Sequence, residues 1–158
     1  MAAIQIAPAR RGDAARLAAM SRRLVETGLE PCWTETRIER HRQDPDSVVL
    51  VARVSGTVCG FAIMQYGDSA AHLNLLAVEK VHQRHGVGRA LVAWLEETAR
   101  GAGVFRVRLE VRGSNPGAQR FYAALGYEER GWVEGYYGPG EDALRYQRDL
   151  SVRARPVE

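Results

Sequence analysis

The chain has 158 residues, of which 46% are of apolar types and 26% are charged, a size and balance typical of one globular domain. It carries 22 basic against 19 acidic residues, a formal net charge of +3, and 21 of the basic residues are arginine. This excess falls short of the concentrated basic surface of a nucleic-acid-binding protein, so we expect no nucleic-acid partner.

The cysteines and the N-terminal segment indicate the cellular compartment of the protein. Cys32 and Cys59 lack the spacing of a zinc module or of a disulfide framework, so we expect reduced thiols and no metal. The N-terminal segment has no apolar core with a small-residue cleavage site, and no stretch approaches the ~18 apolar residues of a membrane span. We therefore expect a cytoplasmic protein without membrane association.

The first half of the chain predicts two helices between strands. Asp13 is expected to cap a first helix that runs to about Gly28. Thr36-x-x-Glu39 has the form of a capping box for a second, charged helix, which Asp-Pro at 44–45 ends. Strands are predicted for residues 4–6, 47–54, 57–66 and 71–78.

The second half alternates helices and strands. Apolar spacing predicts a helix from Val87 to near Gly101 or Gly103, and Asn115 is a good N-cap for another helix that Gly126 ends. Strands are predicted for residues 104–111, 127–133 and 143–150, with a loop at 135–140. The element order βααβββαβαββ indicates an α/β or α+β fold with a mixed sheet.

The loop between the fourth strand and the following helix is the most informative segment. Gly86 and Gly88 allow several backbone N–H groups to point outward, and the helix N-terminus adds a positive dipole end. From Lys80 to Arg89 there are three lysine or arginine side chains and no acidic one, a charge equal to the whole net charge of the chain. This loop predicts an anion site suited to a pyrophosphate.

Two common phosphate loops fit this segment poorly. A Walker loop requires Lys-Ser/Thr after the last glycine, whereas Gly88 precedes Arg89-Ala90. A dinucleotide loop requires a third glycine, and Leu91 occupies that position. The motif also has an acidic residue about 20 residues further on, and Glu110 fits this requirement. The alternative without a ligand is that the glycines serve only to start the helix, beside a basic loop that is exposed to solvent.

Two motifs resemble those of the GCN5-related N-acetyltransferase (GNAT) superfamily. Gln83-x-x-Gly86-x-Gly88 matches the family's Arg/Gln-x-x-Gly-x-Gly/Ala pattern, and the segment from Asn115 to Tyr127, with Phe121-Tyr122, resembles its second motif. The resemblance implies a central mixed, mostly antiparallel sheet with helices on both faces. It also implies one acetyltransferase domain over residues 1–150, followed by a tail at 151–158.

A nearer resemblance is to the ribosomal-protein alanine N-acetyltransferase branch. Leu-Glu-Val-Arg-x-Ser-Asn at 109–115 and Gly-Tyr-Tyr at 135–137 are similar to that branch. The chain departs from it at Pro31-Cys32-Trp33-Thr34, which has one extra residue, and at His72. The acceptor is therefore expected to be either a peptide N-terminus or an amine-bearing small molecule.

The resemblance implies acetyl-CoA as the donor. The glycine loop, residues 83–88, would bind the pyrophosphate through backbone N–H groups, and the end of the preceding strand would pair with the pantetheine arm where that strand splays from the next. The residues expected to contact the cofactor are Leu76, Ala77, Val78, Gln83, Arg84, His85, Gly86, Val87, Gly88, Arg89, Asn115 and Tyr122.

Acetyl transfer needs a deprotonated amine, and an alkylammonium with a pKa of about 10 is mostly unreactive at neutral pH. Two residues are candidates for the base: His72, which titrates near neutrality and is preferred, and Glu110, which the resemblance favours. We expect His72 and Asn74 to share a strand face with Leu76. The resemblance implies Tyr122 as the acid that protonates the leaving thiolate, and simple core packing is its alternative role.

The acceptor site is expected, from the resemblance, near Trp33, Asn74, Tyr136 and Tyr137. A different class of function stays open: a non-catalytic acyl-CoA-binding or regulatory module on the same fold. The oligomeric state is not indicated, although the sequence is compatible with a dimer.

Overall fold

The computed structural model describes residues 3–152, so all but the first two residues of the predicted tail at 151–158 lie outside the described part. The assignment of residues 1–150 to one acetyltransferase domain stays a prediction. In chain order the elements are β1 Ile4–Pro8, α1 Ala14–Leu24, α2 Glu35–Gln43, β2 Ser47–Val54, β3 Thr57–Tyr66, β4 Ala71–Val78, a 3-10 turn Lys80–His82, α3 Val87–Gly101, β5 Arg106–Arg112, α4 Pro116–Ala124, β6 Glu128–Gly138 and β7 Glu141–Asp149.

The strands form a seven-stranded sheet in the order β1-β2-β3-β4-β5-β7-β6. Every neighbouring pair is antiparallel except β4 and β5, which are parallel because α3 crosses between them. The β2–β3 hairpin closes through Ser55 and Gly56, with φ angles of 50° and 80°, the left-handed values that two-residue hairpins need. The predicted mixed, mostly antiparallel sheet is thus confirmed.

Helices cover both faces of the sheet, as predicted. On one face α1 and α2 pack against β2, β3 and β4, where the fully buried side chains include Leu17, Met20, Ile38, Val51, Phe61 and Ile63. On the other face α3 and α4 pack over the sheet, where they include Leu50, Met64, Leu91, Leu95 and Leu109. Among residues 3–152, no helix combines the length and the apolarity that crossing a membrane requires.

The two N-terminal helices differ from the prediction at their ends. Helix α2 begins at Glu35, and its cap is Thr34, whose side chain accepts a hydrogen bond from the Arg37 amide at 3.2 Å. The predicted capping box at Thr36 is therefore wrong. Helix α1 ends at Leu24, before Gly28. The Asp13 side chain makes no cap bond to α1, because its carboxylate accepts from Arg53 at 2.7 Å instead.

The C-terminal hairpin is longer than predicted. Strand β6 continues to Gly138, so the predicted loop at 135–140 shrinks to a turn at Pro139 and Gly140. The pairing with β7 is irregular between Val133 and Gly138, which bends this part of the strand.

Candidate active site

An extra residue in β4 reverses the alternation of its side chains. Leu73 pairs with Met64 and Leu75 pairs with Ile63, so Asn74 is a β-bulge. Leu73 packs in the core under α3, whereas Leu75 packs in the core under α1 and α2. His72 thus faces the α1–α2 side and Leu76 the α3 side. The prediction that His72 shares a face with Leu76 is wrong, because the bulge at Asn74 lies between them, whereas His72 and Asn74 do contact each other.

Strands β4 and β5 separate soon after they begin to pair. Their register contains two pairs, Ala71 with Val107 and His72 with Arg108, and beyond these the strands diverge, as predicted. A cavity of about 880 Å³ occupies the opening. Twelve of the predicted site residues line it: Trp33, His72, Asn74, Leu76, Ala77, Val78, Gln83, Glu110, Asn115, Tyr122, Tyr136 and Tyr137.

The glycine loop lies beyond the Gln83 end of this cavity. Gln83 donates its side-chain amide to the Val78 carbonyl at 3.0 Å, which ties the loop to the end of β4. The other predicted loop residues, Arg84, His85, Gly86, Val87, Gly88 and Arg89, do not line the cavity. Val87 is buried in the core, so its backbone and not its side chain can face a ligand.

The backbone at the start of α3 has the form of an anion cradle. Gly86 has φ +83° and Arg84 has φ +65°, both left-handed. The first amide bonded within the helix is that of Ala90, which donates to Gly86 at 3.0 Å, so the three preceding amides have no partner inside the helix. A Cβ at Gly88 would lie 3.1 Å from the Phe121 ring, so a side chain here would displace that ring.

His72, Glu110 and Asn74 form one hydrogen-bonded group. The Nε2 atom of His72 lies 2.5 Å from Oε2 of Glu110, and its Nδ1 contacts Oδ1 of Asn74. The hydrogen bond to Glu110 raises the pKa of His72, burial opposes this, and Asn74 adds to it. Burial acts to raise the pKa of Glu110, but His72 and Arg145 outweigh it and lower that pKa. The two candidate bases are therefore one coupled pair.

Tyr122 both packs in the core and lines the cavity. Its ring meets Phe121 and Tyr127 edge-on, with centroids 5.0 and 5.6 Å away. Burial raises the pKa of Tyr122 far above its usual value, and the nearby Tyr137 raises it further. A phenol in this position keeps its proton at neutral pH and can donate a hydrogen bond to an anion that forms beside it.

The far end of the cavity is bounded by Trp33, Tyr136 and Tyr137, which we call the aromatic end. Tyr136 and Tyr137 lie on β6 with their rings 4.8 Å apart and nearly perpendicular. On the opposite wall the Arg37 guanidinium lies 3.8 Å from the centre of the Trp33 ring. This end therefore combines aromatic surfaces with a positive charge.

Three residues that position this wall were not anticipated. Glu26 is buried, and its carboxylate accepts from the Cys32 amide at 2.5 Å and from Ser21 at 2.7 Å, which fixes the loop before Trp33. Arg37 and Arg112 also line the cavity. Arg112 stands in the motif at 109–115, but nothing in its spacing shows the contacts it makes with the α1–α2 loop.

The acetyltransferase (GNAT) family model matches residues 17–127. The N-alpha-acetyltransferase RimI of Mycobacterium tuberculosis is 32% identical over 144 residues, 88% of each chain. The crystal structure of the ribosomal-protein-S18-alanine N-acetyltransferase of Escherichia coli has 27% identity and a TM-score of 0.82, and 99% of each chain is covered.

A third comparison concerns the donor. The solved structure of a putative acetyltransferase from Salmonella typhimurium with its cofactor acetyl-CoA shares the fold, with 23% identity, a TM-score of 0.77 and 98% coverage of each chain. The family match covers more than half of the chain, and it includes the separated strands, the glycine loop and Tyr122. The chain therefore belongs to the acetyltransferase (GNAT) family, and its activity is that of an N-acetyltransferase.

Proposed function

We propose that this enzyme transfers the acetyl group of acetyl-CoA to the α-amino group of a peptide N-terminus by direct attack within a ternary complex. The observation that carries the proposal is the meeting of the His72–Glu110 pair with Tyr122 around one cavity, where β4 and β5 separate. A base for the amine and an acid for the leaving group thus line the same space.

The residues around the cavity fit acetyl-CoA, which supplies an acetyl thioester whose thiolate is a good leaving group. The three unpaired amides after Gly86, with Arg84 and Arg89 beside them, suit its pyrophosphate. The edge of β4 from Leu76 to Val78 faces the gap left by β5, where its backbone groups can pair with the amides of the pantetheine arm.

The coupled pair removes the proton from the acceptor. The acceptor ammonium loses one proton to the His72–Glu110 pair, and the carboxylate of Glu110 stabilises the imidazolium that forms. Asn74 holds the ring through its contact with Nδ1. The Tyr122 hydroxyl donates its proton to the departing thiolate. The second proton that the nitrogen loses when the amide forms restores this hydroxyl, and the proton left on the His72–Glu110 pair passes to solvent, so the proton count balances.

The aromatic end suits the acceptor. Trp33, Tyr136 and Tyr137, with Asn74 at the bulge, bound the part of the cavity near His72. Support for a peptide acceptor comes from the M. tuberculosis relative, named an N-alpha-acetyltransferase, and from the E. coli relative, named for the alanine of a ribosomal protein.

The test is a thiol-release assay with acetyl-CoA over a panel of small amines and N-terminal peptides. We expect release with peptides that have a free α-amine and none with the same peptides blocked at the N-terminus. His72→Ala and Glu110→Gln should each slow release without weakening acetyl-CoA binding measured by calorimetry. Tight binding of acetyl-CoA without release from any amine would contradict the proposal and favour a non-catalytic module.

A further inference from the structure

The aromatic end of the cavity lies beside a part of the sheet that carries exposed arginines. The core under α1 and α2 is built from β2, β3 and β4 and does not extend to β5 and β7. Arg145 of β7 pairs across the sheet with Glu110, and its side chain is 55% exposed. A guanidinium therefore stands next to the proposed base with much of its surface open to solvent.

The carboxylate of Glu110 does not neutralise this arginine fully. Its Oε2 is engaged by His72 at 2.5 Å, whereas Nε of Arg145 is 3.6 Å from Oε1. With His72 protonated, the three side chains carry a net positive charge. The planar end of the Arg145 guanidinium keeps donors for another carboxylate.

Arg37 adds a second cation from the opposite wall. Its guanidinium stacks on Trp33 and donates to the Cys32 carbonyl at 3.4 Å. Within residues 3–152, no carboxylate lies within 4.0 Å of it. Arg37 is thus held in position by an aromatic ring and a backbone group, which leaves its charge without a counter-ion.

The two arginines adjoin the same end of the cavity. Arg37 lines the cavity together with Tyr136 and Glu110, and Nε of Arg145 lies 3.6 Å from Oε1 of that Glu110. The acids that line the cavity are Glu26, Glu30 and Glu110. The carboxylate of Glu26 accepts hydrogen bonds from backbone amides, and that of Glu110 is bonded to His72. Among these three acids, Glu30 is the one without a described bond.

We propose that the acceptor is a peptide whose first residue is followed directly by acidic side chains, and that Arg145 and Arg37 bind those carboxylates. The inference rests on the proposed function and specifies its substrate class. Consecutive Cα atoms lie about 3.8 Å apart. The second and third residues of a peptide whose amine lies at His72 are therefore within reach of an arginine that adjoins Glu110. Guanidinium groups bind carboxylates with paired hydrogen bonds.

Peptides that differ in charge and little in shape test the proposal. Three peptides begin with alanine and carry Glu-Glu, Gln-Gln or Lys-Lys at the next two positions, with a common remainder. We expect kcat/KM to fall in that order, with roughly a threefold to tenfold loss from Glu-Glu to Gln-Gln, as for partly exposed charge pairs. High ionic strength should reduce this ratio, because salt screens exposed charges.

Variants assign the preference to its residues. In Arg145→Gln the ratio of the Glu-Glu to the Gln-Gln rate should drop towards one, whatever happens to the absolute rate. Arg106→Gln is the matched control: it removes the same charge from an exposed position on the same face of β5, four residues before Glu110 and opposite Asp149 of β7, and should keep the ratio. Arg37→Gln should lower the ratio as Arg145→Gln does.

The possible results separate the two proposals. If no peptide and no amine releases thiol, the proposed function fails and this inference fails with it. If the Gln-Gln peptide reacts at least as fast as the Glu-Glu peptide, the function stands and the acidic preference is wrong. A preference that survives unchanged in both Arg145→Gln and Arg37→Gln would overturn the assignment to these arginines.

Discussion

The Nε2 atom of His72 lies 2.5 Å from Oε2 of Glu110, and this contact joins β4 to β5 beyond their last backbone pair, His72 with Arg108. It places a titratable pair at the start of the gap between the strands. The two groups compete for one proton, so neither residue titrates independently of the other. The opening in the sheet and the base for the reaction therefore occur at the same point.

The rate should rise with pH as this pair loses its proton. The bond to Glu110 raises the pKa of His72 above its ordinary 6.5, and below that pKa the pair already holds the proton that it must accept. Glu110→Gln removes the group that raises it, so the acid limb of kcat should move to lower pH while the plateau falls. The measurement is kcat against pH for one peptide, so that the acceptor amine is the same for every variant. If the acid limb keeps its midpoint in both Glu110→Gln and His72→Ala, the pair is not the base.

Tyr122→Phe should slow turnover by roughly 10²-fold, the lower end of what a positioned general acid contributes. The ring packing against Phe121 and Tyr127 survives the change, so acetyl-CoA affinity and thermal stability should stay close to those of the parent protein. Tyr146→Phe is the control, because Tyr146 is a mostly buried tyrosine that does not line the cavity. Equal turnover in the two variants would leave Tyr122 with a packing role alone.

Gly86→Ala should weaken acetyl-CoA binding. Gly86 has φ +83°, and an L side chain in the left-handed region costs about 1–2 kcal/mol, which this loop can relieve by moving its amides out of position. Gly101 of α3 provides a control, because a Cβ there meets open space at an ordinary φ. Calorimetric titration should give weaker binding for Gly86→Ala and unchanged binding for Gly101→Ala. Unchanged affinity in both would show that these amides do not hold the donor.

The donor side of the site could be predicted from the sequence because its determinants are local. A strand, a glycine loop and a helix start lie within residues 78–89, and the Asn115 cap and Pro116 at the first helical position were also found where predicted. Such signals depend on backbone conformations that a few neighbouring residues impose.

The acceptor side could not be predicted in the same way. The bulge at Asn74 is fixed by which residues of β3 pair with β4, and β4 alone reads as a regular alternation. His72 and Glu110 appeared as rival bases because they are 38 positions apart and α3 lies between their strands. Whether Thr34 or Thr36 caps α2 likewise depends on the path of the preceding loop.

Arg112 holds the wall of the acceptor side, and replacing it should affect the acceptor more than the donor. Its Nη1 donates to the Thr27 carbonyl at 2.9 Å and faces the Val25 carbonyl at 3.4 Å, while Nη2 lies 3.3 Å from Glu141. The guanidinium thereby joins the α1–α2 loop to the start of β7.

In Arg112→Lys a single ammonium keeps the charge but cannot reach the loop carbonyls and Glu141 together. We expect a loss of about 1.5–3 kcal/mol of unfolding free energy, the range for hydrogen bonds that involve a charged group. The KM for the peptide should rise several-fold while acetyl-CoA affinity is kept, because the loop that carries Trp33 loses its anchor. Arg106→Lys, at the exposed start of the same strand, should change neither quantity. An unchanged peptide KM in Arg112→Lys would mean that the bonds of Glu26 to this loop suffice to hold it.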